Sequence, residues 1–155
     1  MFYFCNRNFT KMIQRIQSIY LLLASAISGG FIFVFNLWST VNRTKVFAFD
    51  LLQQDSFIEK LIPILFIVAA LDAFLAIFLF KNRKLQFVVT RLVILTHLIL
   101  LGILIYLSLT LSGEAMVSEK GIGMFLPILV ILLSVLANKA IKKDENLVKS
   151  VDRLR

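Results

Sequence analysis

Asp72 and His97 are ionisable residues that lie deep inside long apolar stretches of this sequence. An aspartate near the centre of a membrane helix costs about 3 kcal/mol on insertion scales, which makes such a residue a functional candidate by default. A carboxylate beside an imidazole could relay a proton or coordinate a cation. The same pair could instead form an interhelical hydrogen bond that fixes helix register. The residue types leave both interpretations open.

The neighbours of Asp72 indicate which way it points. Ala69, Ala73 and Ala76 share one helical face with it, at the spacing i, i+3, i+4 and i+7 that suits close helix contact. We therefore expect Asp72 to face the other helices. Asp72 and His97 lie on two successive apolar runs, and their depths can be counted from the ends of those runs that a short basic loop connects. At ~1.5 Å per residue, the two depths should differ by roughly 4 to 5 Å. A short loop between their helices would bring the two side chains together.

The carboxyl-terminal tail, residues 142–155, is the second candidate region. Apolar residues at 147, 148, 151 and 154 form a stripe beside basic ones, which predicts an amphipathic, basic helix. Such a helix could lie on anionic lipid headgroups, where each cation contributes about 1 kcal/mol, or could dock a cytoplasmic protein. The residues expected to make these contacts are Lys142, Lys143, Lys149, Arg153 and Arg155.

Other kinds of site find little support in the sequence. There is one histidine and one cysteine, Cys5, and no hydrolytic triad, phosphate loop or metal-ligand spacing. We predict that the protein is not an enzyme and uses no cofactor or metal. The net charge of +8 could suggest nucleic acid, but the tail has no aromatic residue for base stacking, so no nucleic-acid partner is expected.

The elements that would position these residues are four long apolar runs. Hydrophobic residues make up 59% of the chain and the mean hydropathy is +0.89, above the ~45–50% apolar content of globular domains. Each run is apolar on all sides and near the ~20 residues that a helix needs to cross a bilayer. The sequence therefore predicts an all-α fold, a bundle of four transmembrane helices at about 16–38, 61–80, 90–111 and 122–141.

The first run also has features of a cleavable signal peptide. A basic start precedes it, and Ala24, Ser25 and Ala26 resemble a cleavage site. The apolar run continues past that point to Leu37, so we expect it to be retained as a helix.

The distribution of Lys and Arg orients the chain. Thirteen of them lie in the tails, in the loop between the second and third runs or at the adjoining ends of the third and fourth runs, against four on the other side. Because positively charged short loops stay in the cytoplasm, both termini should be cytoplasmic. The periplasmic loop 39–60 should fold back as a lid over the bundle, although a binding role is an alternative. Trp38 should mark an outer aromatic belt, and Pro63 and Pro127 should mark helix starts.

Two stretches, at the two ends of the chain, resemble a known family. Residues 12–24, MIQRIQSIYLLLA, and residues 140–155, AIKKDENLVKSVDRLR, are similar to small four-helix membrane proteins from Bacteroidetes, the domain of unknown function family 4293. Residues 1–11 depart from the family pattern. The resemblance implies a multi-pass protein of a bacterial inner membrane and brings no reaction or ligand with it.

Two functional hypotheses follow. The first is a non-enzymatic scaffold or accessory subunit, in contact with the bilayer and anionic headgroups, that holds another membrane or cytoplasmic protein. The alternative is a small proton- or ion-coupled transporter that uses Asp72 and His97.

Overall fold

The computed structural model describes residues 4–40, 45–112 and 117–153. The protein is mostly helical, which confirms the predicted all-α, four-helix fold. Its long helices are α1 (Phe4–Gly30), α2 (Phe57–Phe78), α3 (Arg83–Ser112) and α4 (Leu126–Arg153).

The four helices form a ring in which each packs against its neighbours in the chain, and α4 closes the ring against α1. Neighbouring helices are antiparallel, so the start of α1, the turn between α2 and α3 and the end of α4 meet at one end of the bundle. We call this the basic end. The connections from α1 to α2 and from α3 to α4 lie at the opposite end, called here the sheet end.

Heptad spacing explains which residues face the interior. On each helix the buried positions are separated alternately by four and by three residues. The mean spacing of about 3.5 residues keeps them in one row along the bundle axis, called here the seam. All of these positions are 3% exposed or less. The seams are Gln17, Leu21, Ala24 and Ser28 on α1; Ile62, Phe66, Ala69, Ala73 and Ala76 on α2; Gln86, Thr90, Val93, His97, Leu100 and Leu104 on α3; Val130, Ser134, Ala137, Ile141 and Asp144 on α4.

The outer surface of the bundle is apolar. Large hydrophobic side chains such as Leu71, Leu98 and Leu132 are at least half exposed, while glutamine, serine, histidine and aspartate are buried inside. A water-soluble bundle distributes these residue types in the opposite way. Three helical segments are long and apolar enough to cross a membrane, and the apolar part of α1 is shorter, Ile16–Gly30. The three are Phe57–Phe78, Arg83–Thr110 and Ile122–Leu147.

A small antiparallel sheet covers the sheet end. Its strands are β1 (Trp38–Thr40), β2 (Lys45–Val46) and β3 (Val117–Lys120), in the order β2-β1-β3. Ala48 and Leu51, from the long loop, are buried in the main core together with Leu37. This part of the loop is therefore a lid over the bundle.

Three details at the sheet end differ from the sequence expectations. The first helix ends at Gly30 rather than near residue 38, because a short 3₁₀ turn leads the chain into β1. Trp38 pairs with β2 and β3 and is only 6% exposed, so it belongs to the core and not to an aromatic belt. Pro63 lies in the interior of α2, whereas Pro127 is the second residue of α4, as expected of a helix start.

Candidate functional site

His97 is fully buried in the bundle core, and both of its ring nitrogens are engaged. Nδ1 lies 2.9 Å from the backbone oxygen of Val93, and Nε2 lies 3.0 Å from Oγ of Ser28. A carbonyl oxygen only accepts, so Nδ1–H is the donor in this contact, and Nε2 of the neutral ring accepts from the serine hydroxyl. The Phe66 ring packs edge-on against the imidazole, with 6.2 Å between the two ring centroids. The histidine therefore links α3 to α1 across the bundle.

Asp72 is half-buried beside the fully buried Ala69, Ala73 and Ala76. Its carboxylate makes no hydrogen bond or ion pair with any residue in the described part of the chain. The structure does not bring it to His97. Phe66 marks the level of His97 on α2, and Asp72 is six residues further along, about 9 Å.

The start of α3 explains this separation in depth. The predicted depth of His97 was counted from Leu92, where the uninterrupted apolar part of the third run begins, five residues before the histidine. The helix begins at Arg83, so His97 is fourteen residues inside it, about 21 Å along the axis.

Helices α1 and α2 approach each other closely through small residues. The Ser25 hydroxyl donates a hydrogen bond to the backbone oxygen of Ala70 over 3.1 Å. A Cβ added at Gly29 would lie only 3.3 Å from Cβ of Ala70. This contact is the small-residue packing typical of membrane helices.

A second polar layer lies three helical turns from His97, toward the basic end. Ser28 on α1 and His97 on α3 are in contact and lie 69 residues apart in the sequence, on helices that run in the same direction. Gln17 and Gln86 are also 69 residues apart on these two helices, so they lie at one level along the bundle axis. Within the described residues, neither Nε2 of Gln17 nor Oε1 of Gln86 has a hydrogen-bond partner. This layer was not predicted from the sequence, although the four-three spacing of Gln17, Leu21, Ala24 and Ser28 is visible there.

A buried ion pair joins α3 to α4 at the basic end. Nη2 of Arg83 lies 3.1 Å from Oδ2 of Asp144, and Nη1 donates to the backbone oxygen of Asp144 over 3.4 Å. The aspartate side chain is 0% exposed and that of the arginine 24%. Because this carboxylate is out of solvent, Arg83 neutralises a charge that would otherwise be costly. Neither residue was predicted from the sequence to have a role.

The predicted basic contacts fall into three groups. Lys142 and Lys143 are exposed and help to line a shallow groove along α4. Lys149 is paired with Glu145 at 2.7 Å. The side chain of Arg153 and all of Arg155 lie outside the described residues.

The predicted tail helix is not a separate element. Helix α4 continues without a break from the bundle through residues 142–153. The tail therefore projects along the bundle axis, and this geometry does not place it flat on a membrane surface.

The described residues contain no group of three or more His, Cys, Asp or Glu side chains arranged to hold a metal ion. A family model described as "Domain of unknown function (DUF4293)" matches residues 13–154. No curated protein and no solved structure matches the chain.

Proposed function

The chain belongs to the DUF4293 family, and from its own residues we propose that it is a non-enzymatic scaffold or accessory subunit of a bacterial inner membrane. On this proposal, α1 crosses the membrane with the three longer helices. The basic end faces the cytoplasm on this proposal, because thirteen of the seventeen Lys and Arg residues belong to the two tails or to the connection between the second and third apolar runs and its adjoining ends.

The observation that carries the proposal is a projection of two helices at the basic end. Asp144 contacts the first residue of α3, and α4 continues for nine more residues, about 14 Å. Gln17 lies near the level where α2 ends, and α1 extends thirteen residues beyond it, to Phe4. We call residues 4–16 and 145–153 the stalk. A helical stalk outside the bilayer gives a cytoplasmic protein a rigid surface to bind.

The buried positions of the polar residues support a structural role over catalysis. His97 has both nitrogens occupied inside the core, and Asp144 is held by Arg83. A general acid or base needs to reach a substrate proton, directly or through one water. Neither side chain is placed for that.

Site-specific photocrosslinking tests the scaffold proposal. A photoreactive amino acid replaces Lys149, whose side chain is 62% exposed on the stalk, and the full chain is irradiated in the native membrane. We expect a discrete adduct with one protein. The matched control carries the probe at Leu71, 56% exposed on the apolar surface, where we expect lipid adducts.

The decisive comparison removes residues 147–155 and leaves the Arg83–Asp144 pair in place. The partner captured at the stalk should then no longer co-purify with the protein. A stalk probe that yields only lipid adducts, or a partner retained after the truncation, would contradict the scaffold proposal.

Ion-coupled transport is a second candidate. The buried polar layer supports it better than Asp72 and His97 do, because those two side chains are not close together. Unpartnered atoms on Gln17, Gln86 and Ser134 lie in the core among the described residues. Proteoliposomes loaded with a pH-sensitive dye would test this. Transport requires that the native chain dissipate a proton gradient and that Gln86→Leu abolish this activity, whereas the scaffold proposal expects no dissipation by either protein.

A further inference from the structure

The outward face of α4 changes abruptly from apolar to basic. Toward the sheet end this face exposes Ile128, Leu132 and Leu136, each between 42% and 57% exposed. The same face continues through Lys139, which follows Leu136 by three residues. From there it carries the shallow groove lined by Lys139, Lys142, Lys143, Asn146, Leu147 and Ser150.

The groove points away from the bundle. Its residues recur at steps of three and four, and they lie on the opposite side of α4 from the core residues Ile141 and Asp144. The groove therefore faces the same surroundings as the exposed leucines before it. No acidic residue is among the residues that line it, and Glu145 is engaged by Lys149.

The three lysines are spaced to fit one layer of the bilayer. Lys139 and Lys143 are four residues apart, about 6 Å along the axis. The headgroup region of one leaflet is roughly 5 to 8 Å thick. Leu136 lies about 4.5 Å from Lys139 on the hydrocarbon side, so the change from leucine to lysine coincides with the boundary between acyl chains and headgroups.

We propose that this groove is a binding site for an anionic glycerophospholipid. The ammonium groups of Lys139, Lys142 and Lys143 hold the phosphate, and the amide of Asn146 donates to headgroup oxygens. The acyl chains lie along Leu132 and Leu136. An anionic lipid is favoured over a zwitterionic one because the groove offers three positive charges and no carboxylate to balance a headgroup cation.

The apolar stripe favours a lipid over an acidic protein. A soluble acidic partner would meet the lysines but would leave Leu132 and Leu136 uncovered, whereas one lipid molecule contacts both surfaces. The three lysines precede the stalk along α4, and of the proposed contacts only Asn146 lies in the stalk. The inference therefore does not require that the stalk bind a protein.

Native mass spectrometry of the full chain in mild detergent tests the site. The protein is titrated with phosphatidylglycerol or with phosphatidylcholine of the same acyl chains. The test variant carries Lys139→Gln, Lys142→Gln and Lys143→Gln together. The matched control carries Lys45→Gln, Lys60→Gln and Lys84→Gln, which remove the same charge outside the groove and leave the Glu145–Lys149 pair in place.

We expect the native chain to prefer phosphatidylglycerol and the control to keep most of that preference. In the groove variant it should fall on the order of a hundredfold, since each near-surface cation strengthens binding about fivefold. An equal loss in both variants, or no preference in the native chain, would overturn the proposal. So would equally tight binding of inorganic phosphate or of a polyglutamate peptide without lipid, because the groove would then recognise a free anion or a protein.

Discussion

Replacing Arg83 with Met is expected to lower the free energy of unfolding by about 3 kcal/mol, because it leaves the buried carboxylate of Asp144 without its counter-charge. Losing one partner of a buried ion pair typically costs about 3 to 5 kcal/mol. We expect the lower end of that range, since a quarter of the Arg83 side chain is exposed. Unfolding by SDS titration in mixed micelles measures the change.

Two further variants show whether the loss comes from the unpaired charge. Lys84→Met removes a neighbouring exposed cation and should change stability by less than ~0.5 kcal/mol. Combining Arg83→Met with Asp144→Leu should restore most of the lost stability, because apolar residues often replace a buried pair at little cost. A double variant as unstable as Arg83→Met alone would contradict this explanation.

Gly121→Ala is expected to destabilise the sheet end by roughly 3 kcal/mol. An added Cβ would lie 2.1 Å from the backbone oxygen of Asn36 and 2.8 Å from the carbonyl carbon of Leu37. Backbone atoms cannot rotate away, so the chain would have to shift. The hydrogen bonds from Gly121 N to Leu37 O and from Gly123 N to Asn36 O, 2.8 and 2.9 Å long, would weaken.

Gly102→Ala is the matched control for this substitution. Gly102 lies inside α3, and a Cβ there would meet nothing within 4 Å. Alanine is the better helix former by about 1 kcal/mol, so this variant should be as stable as the native protein or more so. Thermal unfolding should show a lower midpoint for Gly121→Ala and an unchanged or higher one for Gly102→Ala. Similar shifts in both variants would mean that the close approach of residue 121 to Asn36 does not limit stability.

The helices were largely predictable from the sequence, and their ends were not. Length and apolarity located α2 and α4 because a membrane helix needs about 20 apolar residues. The same criterion stops at charged residues, whereas α3 begins at Arg83 and α4 continues to Arg153. A helix that leaves the bilayer keeps its backbone hydrogen bonds in water. Charge therefore marks the membrane boundary and not the helix end.

The residues of the candidate sites were also predictable only in part. Lys142 and Lys143 were predicted as contact residues because they belong to a basic, amphipathic tail. They lie on the outward face of α4, and their contacts stay a prediction. The proximity of Asp72 and His97 could not be judged without the true start of α3. Gln86 and Asp144 were not predicted because they lie outside the apolar runs 90–111 and 122–141, although the helices extend over both residues. The heptad spacing of buried positions continues through both residues and could have identified them.

The central claim is that lipid surrounds the apolar surface of the bundle, and spin-label accessibility tests it most directly. After Cys5→Ser, single cysteines at Leu71, Leu98 and Lys142 are labelled in reconstituted vesicles, and their collisions with oxygen and with a water-soluble nickel chelate are compared. We predict that labels at Leu71 and Leu98 collide with oxygen and are shielded from nickel, and that the label at Lys142 is accessible to nickel. Free access of nickel to Leu71 and Leu98 would contradict the account.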